Sequence, residues 1–426
     1  MMNVLETTIE IRDLFSRYEL CKVQESQVNK LVEKLQNKEV TIAVIGQFKR
    51  GKTTMINSIL GNKLLPVGIV PITSAVTSIR YAEDARDTAR VLFLNGLSEE
   101  VPAEELHSYI SEQENSNNEK GVAEVELETP AEVLKDGLVL VDTPGVGSVH
   151  ENNSKSAYDF ARESDGVIFM LSVDSPINQI EVDYLKDVRK FAGKFYFAVN
   201  KIDTVDEDDL DQYIEYCSRL ISDITGEADE AGKGPRIIPI SAKKNIGIDK
   251  LTGTIREDLL TGSREIMERS VSLKLLEILE GTLKQIHSYR EVLKMAPNIF
   301  ERRFREMNDV LQGNKEAAFK LAEESDGKKF LRARLNEEKA LMAGKVRELF
   351  GIEYYYEVNY NDAAEALTGE EYVRELVAAY DELAETLNAI FMYKEENVYT
   401  VARRIEDLNI LMQQMRKHRR KLETVG

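Results

Sequence analysis

Gly46, Gly51, Lys52 and Thr53 stand at the spacing G-x-x-x-x-G-K-T in the run GQFKRGKTT (46–54), after the apolar stretch TIAVI and before TTMINSIL. Two glycines so spaced let the backbone close around an anion, with successive N–H groups and the start of a helix facing it. Lys52 then has the reach to bridge the β- and γ-phosphates of a nucleotide, and Thr53 the hydroxyl to hold Mg²⁺. The expected phosphate site is Gly46, Gln47, Phe48, Lys49, Arg50, Gly51, Lys52, Thr53 and Thr54. Lys49 and Arg50 place two cations inside the loop, and that excess of charge needs a reason.

Three further motifs follow in order, each after an apolar run. In VLVDTPG (139–145), Asp142 ends a strand three residues before Gly145. That suits a carboxylate on the Mg²⁺ side and a glycine N–H at the γ-phosphate. In NKID, Asp203 can accept both the N1 and N2 protons of guanine, which adenine does not offer. Asn200 would brace the loop, and the stem of Lys201 would cover the base. Ser241, Ala242 and Lys243 follow RIIPI and would add a backbone N–H for the guanine O6. NKxD alone is a weak signal; four motifs in sequence point to a guanine nucleotide. Between the first two lies LLPVGIVPITSAVT (64–77), where Thr73 is expected to complete the Mg²⁺ shell and hold water, and Thr77 to start a strand.

These loops need a sheet to hold them. The strand candidates are VTIAVI, AVTSIRY, ARVLFL, VAEVEL, LVLV, GVIFML, KFYFAV and RIIPI. Several are apolar throughout, as strands buried on both faces are. Functional loops then belong at their carboxyl ends. Residues 38–262 therefore read as an α/β domain with a mostly parallel sheet and helices on both faces. SEQENSNNEKG (111–121) reads as a mobile polar insertion, and DTVDEDDLDQ (203–212) as an acidic helix start suited to the macrodipole.

Residues 1–37 and 263–426 are nearly free of proline and rich in Glu, Lys, Leu and Arg. Ile11, Leu14, Tyr18, Cys21, Val28, Val32 and Leu35 fit a three-four alternation with Glu25 as its one charged member. Leu276, Leu279, Leu283, Ile286 and Leu293 repeat it with Arg290 intervening, and Val398, Val401, Ile405, Leu408, Met412 and Met415 do so again. Narrow seams of this kind pack lengthwise. The expectation is an elongated helical bundle built from both ends of the chain, with the α/β domain inserted. An N-terminal neck helix of ~35 residues would be about 50 Å long. The alternative is several shorter helices lying on the globular domain. FGIEYYYEVNY (350–360) reads as a bent connection packed by its tyrosines, or as an exposed tip. MRKHRRK (415–421) reads as a helix end complementing the dipole, or as a contact for anionic lipid.

The chain has 426 residues and a net charge of −19, which argues against wholesale nucleic-acid binding. Two distant cysteines imply no disulfide framework. The start MMNVLETTIEIRDLF is unlike a secretory signal and no run of 18 apolar residues occurs, so the expected place is cytoplasmic, with a peripheral one at the inner face of a membrane as the variant.

GQFKRGKTT, LLPVGIVPIT, DTPGVGS and NKID together resemble the dynamin-like large GTPases, most nearly the bacterial ones. The resemblance covers roughly residues 38–245. It implies GTP hydrolysis with Mg²⁺, stimulated when two GTPase domains meet, neck helices drawn from both ends of the chain, and membrane remodelling as the usual output. In Ras-like GTPases a Gln follows the DxxG glycine and orients water; Val146 stands here and lacks that amide. In dimer-activated relatives the fourth loop residue coordinates a monovalent cation or is an arginine finger; that residue is Lys49, whose ammonium would replace the cation, with Arg50 the neighbouring candidate. The implied catalytic group is thus Lys49, Lys52, Thr73 and Gly145, and the implied metal ligands are Thr53, Thr73 and Asp142. The implied partners are a second copy, and a membrane surface or a related GTPase; His150 reads as a solvated loop residue. Two classes of function stand: a mechanoenzyme driven by dimerisation, and a nucleotide-gated switch that recruits another protein. A ribosome-associated GTPase would share NKxD and SAK but would want a basic appendage.

Overall fold

The computed structural model describes residues 3–37, 39–67, 75–84, 88–111, 114–115, 118–145, 160–225, 235–323, 329–354, 356 and 366–423. The chain divides into two compact units: Met1–Ser16, Glu25–Leu276 and Leu422–Gly426 form one, Arg17–Gln24 and Glu277–Lys421 the other.

The first unit is built on a nine-stranded mixed sheet in the order β4-β3-β5-β2-β6-β1-β7-β8-β9. The strands are β1 (Val40–Ile45), β2 (Val76–Tyr81), β3 (Thr88–Phe93), β4 (Ser98–Pro102), β5 (Val122–Thr129), β6 (Leu138–Asp142), β7 (Gly166–Ser172), β8 (Lys194–Asn200) and β9 (Ile237–Pro239). All eight expected strands form. β4 is added at the edge; only Val101 of SEEVP is buried, so it lacks the apolar signal. β6, β1, β7, β8 and β9 are mutually parallel, so their carboxyl ends share one edge. β2 joins β6 antiparallel and β3 joins β5 antiparallel.

Two cores cover the two faces. Ile42 and Val44 of β1 pack into one, with Met55 and Ile56 of α3 (Lys52–Leu60); this follows α1 (Val4–Phe15) and α2 (Lys22–Asn37) in the chain. Ala43 and Ile45 face the other. A short α4 (His107–Ile110) precedes α5 (Gln179–Val188) and α6 (Glu207–Thr225), whose Tyr184, Leu185, Cys217 and Ile221 fill that second core. This alternation explains why the strands are apolar throughout: each burial of a Leu or Ile is worth about 1.5–3 kcal/mol, and both faces supply it.

The carboxylate of Asp165, at the start of β7, is fully buried. It accepts from the Thr41 N–H at 2.9 Å and pairs with Lys34 of α2 at 3.1 Å. Lys274, on the helical run α7 (Ile248–Lys294), donates to the carbonyls of Glu163 and Ser164 and stands 4.0 Å from the same carboxylate. Cys217 and Cys21 are both buried and unbridged.

Three expectations change in detail. The N-terminal segment is two helices rather than one of ~35 residues: Ser16 closes α1 and Tyr18 is extended (φ −126°, ψ 115°). The run α7 breaks at Gly262 (φ −147°, ψ 20°), the expected domain boundary, while the two units divide after Leu276. The polar insertion is held together at its described residues: buried Asn115 donates to the Tyr109 carbonyl at 2.6 Å, and the Asn118 side chain bonds both ways with the Val122 backbone. These amide side chains replace apolar burial, which is why composition alone reads as mobile. The acidic run begins α6, with Asp206 accepting from the Asp209 N–H.

The second unit is helical. It holds the end of α7, then α8 (Pro297–Glu323), α9 (Arg332–Phe350), α10 (Gly369–Asn397) and α11 (Val401–Glu423), with β10 (Lys329–Leu331) paired to β11 (Ala366–Thr368). Within it Gln24 bonds Gln285, Arg290 bonds Asn409 and Arg419 pairs with Glu280 at 3.0 Å, so three separated stretches of chain meet. The basic run ends a helix. Phe300, Phe304, Phe350 and Phe391 form its aromatic core. Of the stretch FGIEYYYEVNY, Tyr354 and Tyr356 pack edge to face at 4.9 Å and Tyr356 is buried; 355 and 357–360 lie outside the described residues.

Candidate nucleotide site

β1 ends at Ile45 and the phosphate loop begins at once. Gly46 has φ 147°, and a Cβ there would lie 2.6 Å from the Met170 carbonyl of β7. Gly51 has φ 94°, and a Cβ there would lie 2.4 Å from Asn200 Nδ2. Both glycines are thus demanded twice, by dihedral and by space. Lys49 is left-handed too, at φ 68°. Lys52 Nζ folds back onto the carbonyls of Gly46 and Gln47 at 2.9 and 3.3 Å. Burial lowers the Lys52 ammonium to about 8, against the pull of Asp142. An anion in the loop would restore it.

Thr53 Oγ1 donates to Asp142 Oδ2 at 2.7 Å. The other oxygen, Oδ1, is buried with no hydrogen-bond partner among the described residues. Burial pushes the carboxyl up to about 6, although Thr53 and Lys52 pull it down. A hydroxyl beside an unpaired buried carboxylate oxygen is a hard-oxygen donor set, which fits Mg²⁺. Thr53 and Asp142 would hold the ion, and it would offset phosphate charge there. Thr73, the third expected ligand, lies outside the described residues, as do Val146 and His150. Gly145 abuts the loop: a Cβ on it would lie 2.8 Å from the backbone of Phe48. Thr77 sits within β2, opposite Asp142.

Asn200, at the end of β8, joins two loops. Its Nδ2 donates to the Arg50 carbonyl at 2.8 Å, and its Oδ1 accepts from the Ala242 N–H at 2.9 Å. Ser58 of α3 also donates to the Ala242 carbonyl. Asp203 Oδ1 accepts from Ser241 Oγ at 2.7 Å, and its Oδ2 lies 3.5 Å from Lys244 Nζ. The Ser241 hydroxyl, more than any other group, holds that carboxyl below its usual range, which favours its ionised, hydrogen-bond-accepting form. Lys201 is left-handed (φ 65°) with its Nζ on Asp174 at 2.6 Å. Lys243 is exposed. Gly46, Gln47, Phe48, Lys52, Thr53, Thr54, Asp142, Asn200, Asp203 and Ser241 therefore converge on one edge of the sheet.

The two loop cations part company. Lys49 is exposed, with its Nζ 5.3 Å from the centre of the Phe48 ring. Arg50 is 2% exposed and turned inward. Its Nε and Nη2 meet Glu181 Oε1 and Oε2 at 2.9 and 2.7 Å. Nη1 donates to Ser172 O, Ser172 Oγ and Ser175 O, and Nη2 also donates to Pro176 O. The expectation of an Arg50 side chain on the nucleotide is corrected: a buried carboxylate and three carbonyls outcompete the phosphate face. Only its backbone remains in the loop. Glu181 was not foreseen. The pattern N-x-x-E at 178–181 is legible as a helix start, and Asn178 and Glu181 do form a reciprocal cap; the second use of the Glu carboxylate is a tertiary contact.

Residues 42–203 match the dynamin family model. An uncharacterised protein of a Caldicellulosiruptor species, encoded in a xynA 3′ region, is 35% identical over 59% of this chain and 58% of its own length. Dynamin-like protein 2 of Campylobacter jejuni is 31% identical over 46% of this chain and 31% of its own. A solved structure described as an oligomerised bacterial dynamin pair, for long-range sensing and tethering of membranes, covers 93% of this chain and 64% of its own, at 19% identity and a TM-score of 0.49. The chain thus spans 58% and 31% of the length of the two curated relatives.

Proposed function

We propose that residues 42–203, which match the dynamin family model, form a GTPase domain, and that the chain hydrolyses GTP to GDP and phosphate, faster when the GTPase domains of two copies meet. The observation that carries the reading is Asn200, whose amide ties the phosphate loop to the Ser241–Lys243 loop beside Asp203. Phosphate binding and guanine selection are thereby one construction. Gly145 and the Phe48 backbone lie against each other, which suits a switch that reads the γ-phosphate through the loop.

Self-association enters because Val146 offers no amide to orient water. A cation must then offset the charge that builds during cleavage, a role worth about 10³–10⁵ in rate. Arg50 is committed to Glu181, so Lys49, exposed and ion-paired to nothing among the described residues, takes it. Dimerisation brings Lys49 onto the phosphates, and the helices that follow carry the motion to a membrane surface or partner. None of the described helices is long and apolar enough to cross a membrane.

The test is GTP and ATP turnover against protein concentration, with light scattering in GDP and GDP–aluminium fluoride. Specific activity should rise with concentration, ATP should not serve, and a dimer should form with the transition-state mimic without K⁺. Slow turnover insensitive to concentration would replace this reading with a nucleotide-gated recruiting switch.

A further inference from the structure

We infer that Glu181 is a positioning residue for nucleotide retention: by gripping Arg50 it fixes the phosphate loop to the segment 172–181, which in turn holds Lys201 of the base clamp. The inference rests on the guanine-nucleotide reading of the site. The bonds form a continuous path. Glu181 takes the Arg50 guanidinium in a two-point fork. Arg50 Nη1 donates to Ser172 Oγ at 3.1 Å, and Ser172 Oγ donates to Asp174 Oδ1 at 2.5 Å. Asp174 Oδ2 accepts from Lys201 Nζ at 2.6 Å. Phosphates lie at one end of this path and the base at the other.

The loop needs such an anchor. Arg50 sits between two left-handed residues, Lys49 and Gly51. Lys49 pays a steric cost for that conformation, because a Cβ crowds the following carbonyl. A strained loop persists only where its surroundings over-determine it. Asn200 holds the main chain of Arg50 and Glu181 holds its side chain, so this one residue is fixed from both directions. Glu181 is 0% exposed and is itself fixed by the reciprocal cap with Asn178. A guanidinium presents its donors in a rigid planar fork, and a lysine would not reproduce it.

The two ends of the path differ in solvent access. Arg50 and Glu181 are buried, whereas Asp174 and Lys201 side chains are 48% and 30% exposed. Asp174 can therefore be truncated without disturbing the core, which separates positioning from folding.

The experiment measures release of fluorescent mant-GDP from wild type, Glu181→Gln, Asp174→Ala and the double variant, with thermal melting of each. Release should be at least threefold faster in each single variant. The double variant should fall short of the product of the two, because both act through one path. Asp174→Ala should melt with wild type, and should carry the test alone if Glu181→Gln does not fold. Wild-type release from either variant, a melting loss without faster release, or effects that multiply would overturn the proposal. If wild type itself fails to bind mant-GDP, the guanine-nucleotide reading is what falls, and this proposal with it.

Discussion

Thr53 and Asp142 touch directly, hydroxyl to carboxylate at 2.7 Å, at the junction of the phosphate loop and β6. The contact satisfies half of a carboxylate whose other oxygen has no partner among the described residues. The site therefore carries a cost that a bound cation would relieve.

That cost sets a pH dependence. Burial raises the Asp142 carboxyl to about 6. The folded state thus favours the protonated form, and this group's contribution to stability is largest at low pH and is lost as pH rises through about 6. Mg²⁺ needs the carboxylate, so protons compete with it. Mg²⁺ affinity of the GDP complex should fall by about tenfold per pH unit below about 6 and level off above 7. Calorimetric Mg²⁺ titrations from pH 5 to 7.5 check this; a flat affinity over that range would remove Asp142 from the metal site.

Asn200→Ala should damage binding and stability together. It strips the partners from the Arg50 carbonyl and the Ala242 N–H, both at a buried junction. Each lost partner costs about 1–3 kcal/mol. Urea unfolding should show a loss of about 2–6 kcal/mol, and mant-GDP affinity should drop at least tenfold (~1.4 kcal/mol). Unchanged nucleotide affinity in a folded variant would mean that the two loops position themselves independently.

The sheet and the site were legible for different reasons. Runs such as GVIFML and KFYFAV announce strands because both faces of β7 and β8 are covered. Lys52, Thr53, Asp142, Asn200 and Asp203 stand out in the sequence because the motifs that carry them have fixed residue types at fixed offsets; metal ligation and guanine selection are the roles proposed for them. What escaped depends on tertiary placement. Arg50 reads as a phosphate-side cation until the fold brings Glu181, 131 positions later, against it. β4 escaped because an edge strand needs little apolar signal. The seam through Tyr18 reads as one helix, yet the chain turns there, since periodicity records which residues are buried and not whether the axis is continuous.

Asp165 anchors the opposite end of β7 from Ser172. A seven-residue strand is about 20 Å long. Asp165→Ala leaves Lys34 and Lys274 without their shared carboxylate and the Thr41 N–H without its acceptor. Breaking a buried ion pair costs about 3–5 kcal/mol. Urea midpoints should fall accordingly, while mant-GDP affinity of the folded fraction should stay within about twofold (~0.4 kcal/mol). A large affinity loss would show that the base of β7 communicates with the phosphate edge.

Lys49→Ala and Arg50→Ala should fail in opposite ways, although the two residues are neighbours. Arg50→Ala leaves the Glu181 carboxylate buried without its cation, and the protein should lose about 3–5 kcal/mol of stability. Lys49 is exposed, so its truncation should change stability by no more than about 0.5 kcal/mol. Its loss should instead appear in turnover. If its ammonium supplies the charge at the dimer interface, concentration-dependent stimulation should drop by about 10³ or more while basal turnover and mant-GDP binding hold. Melting curves separate the first effect, and turnover at low and high protein concentration separates the second. Stimulation that survives Lys49→Ala would mean that a bound monovalent cation or another side chain supplies the charge, and titrating K⁺ into that variant would tell these two apart.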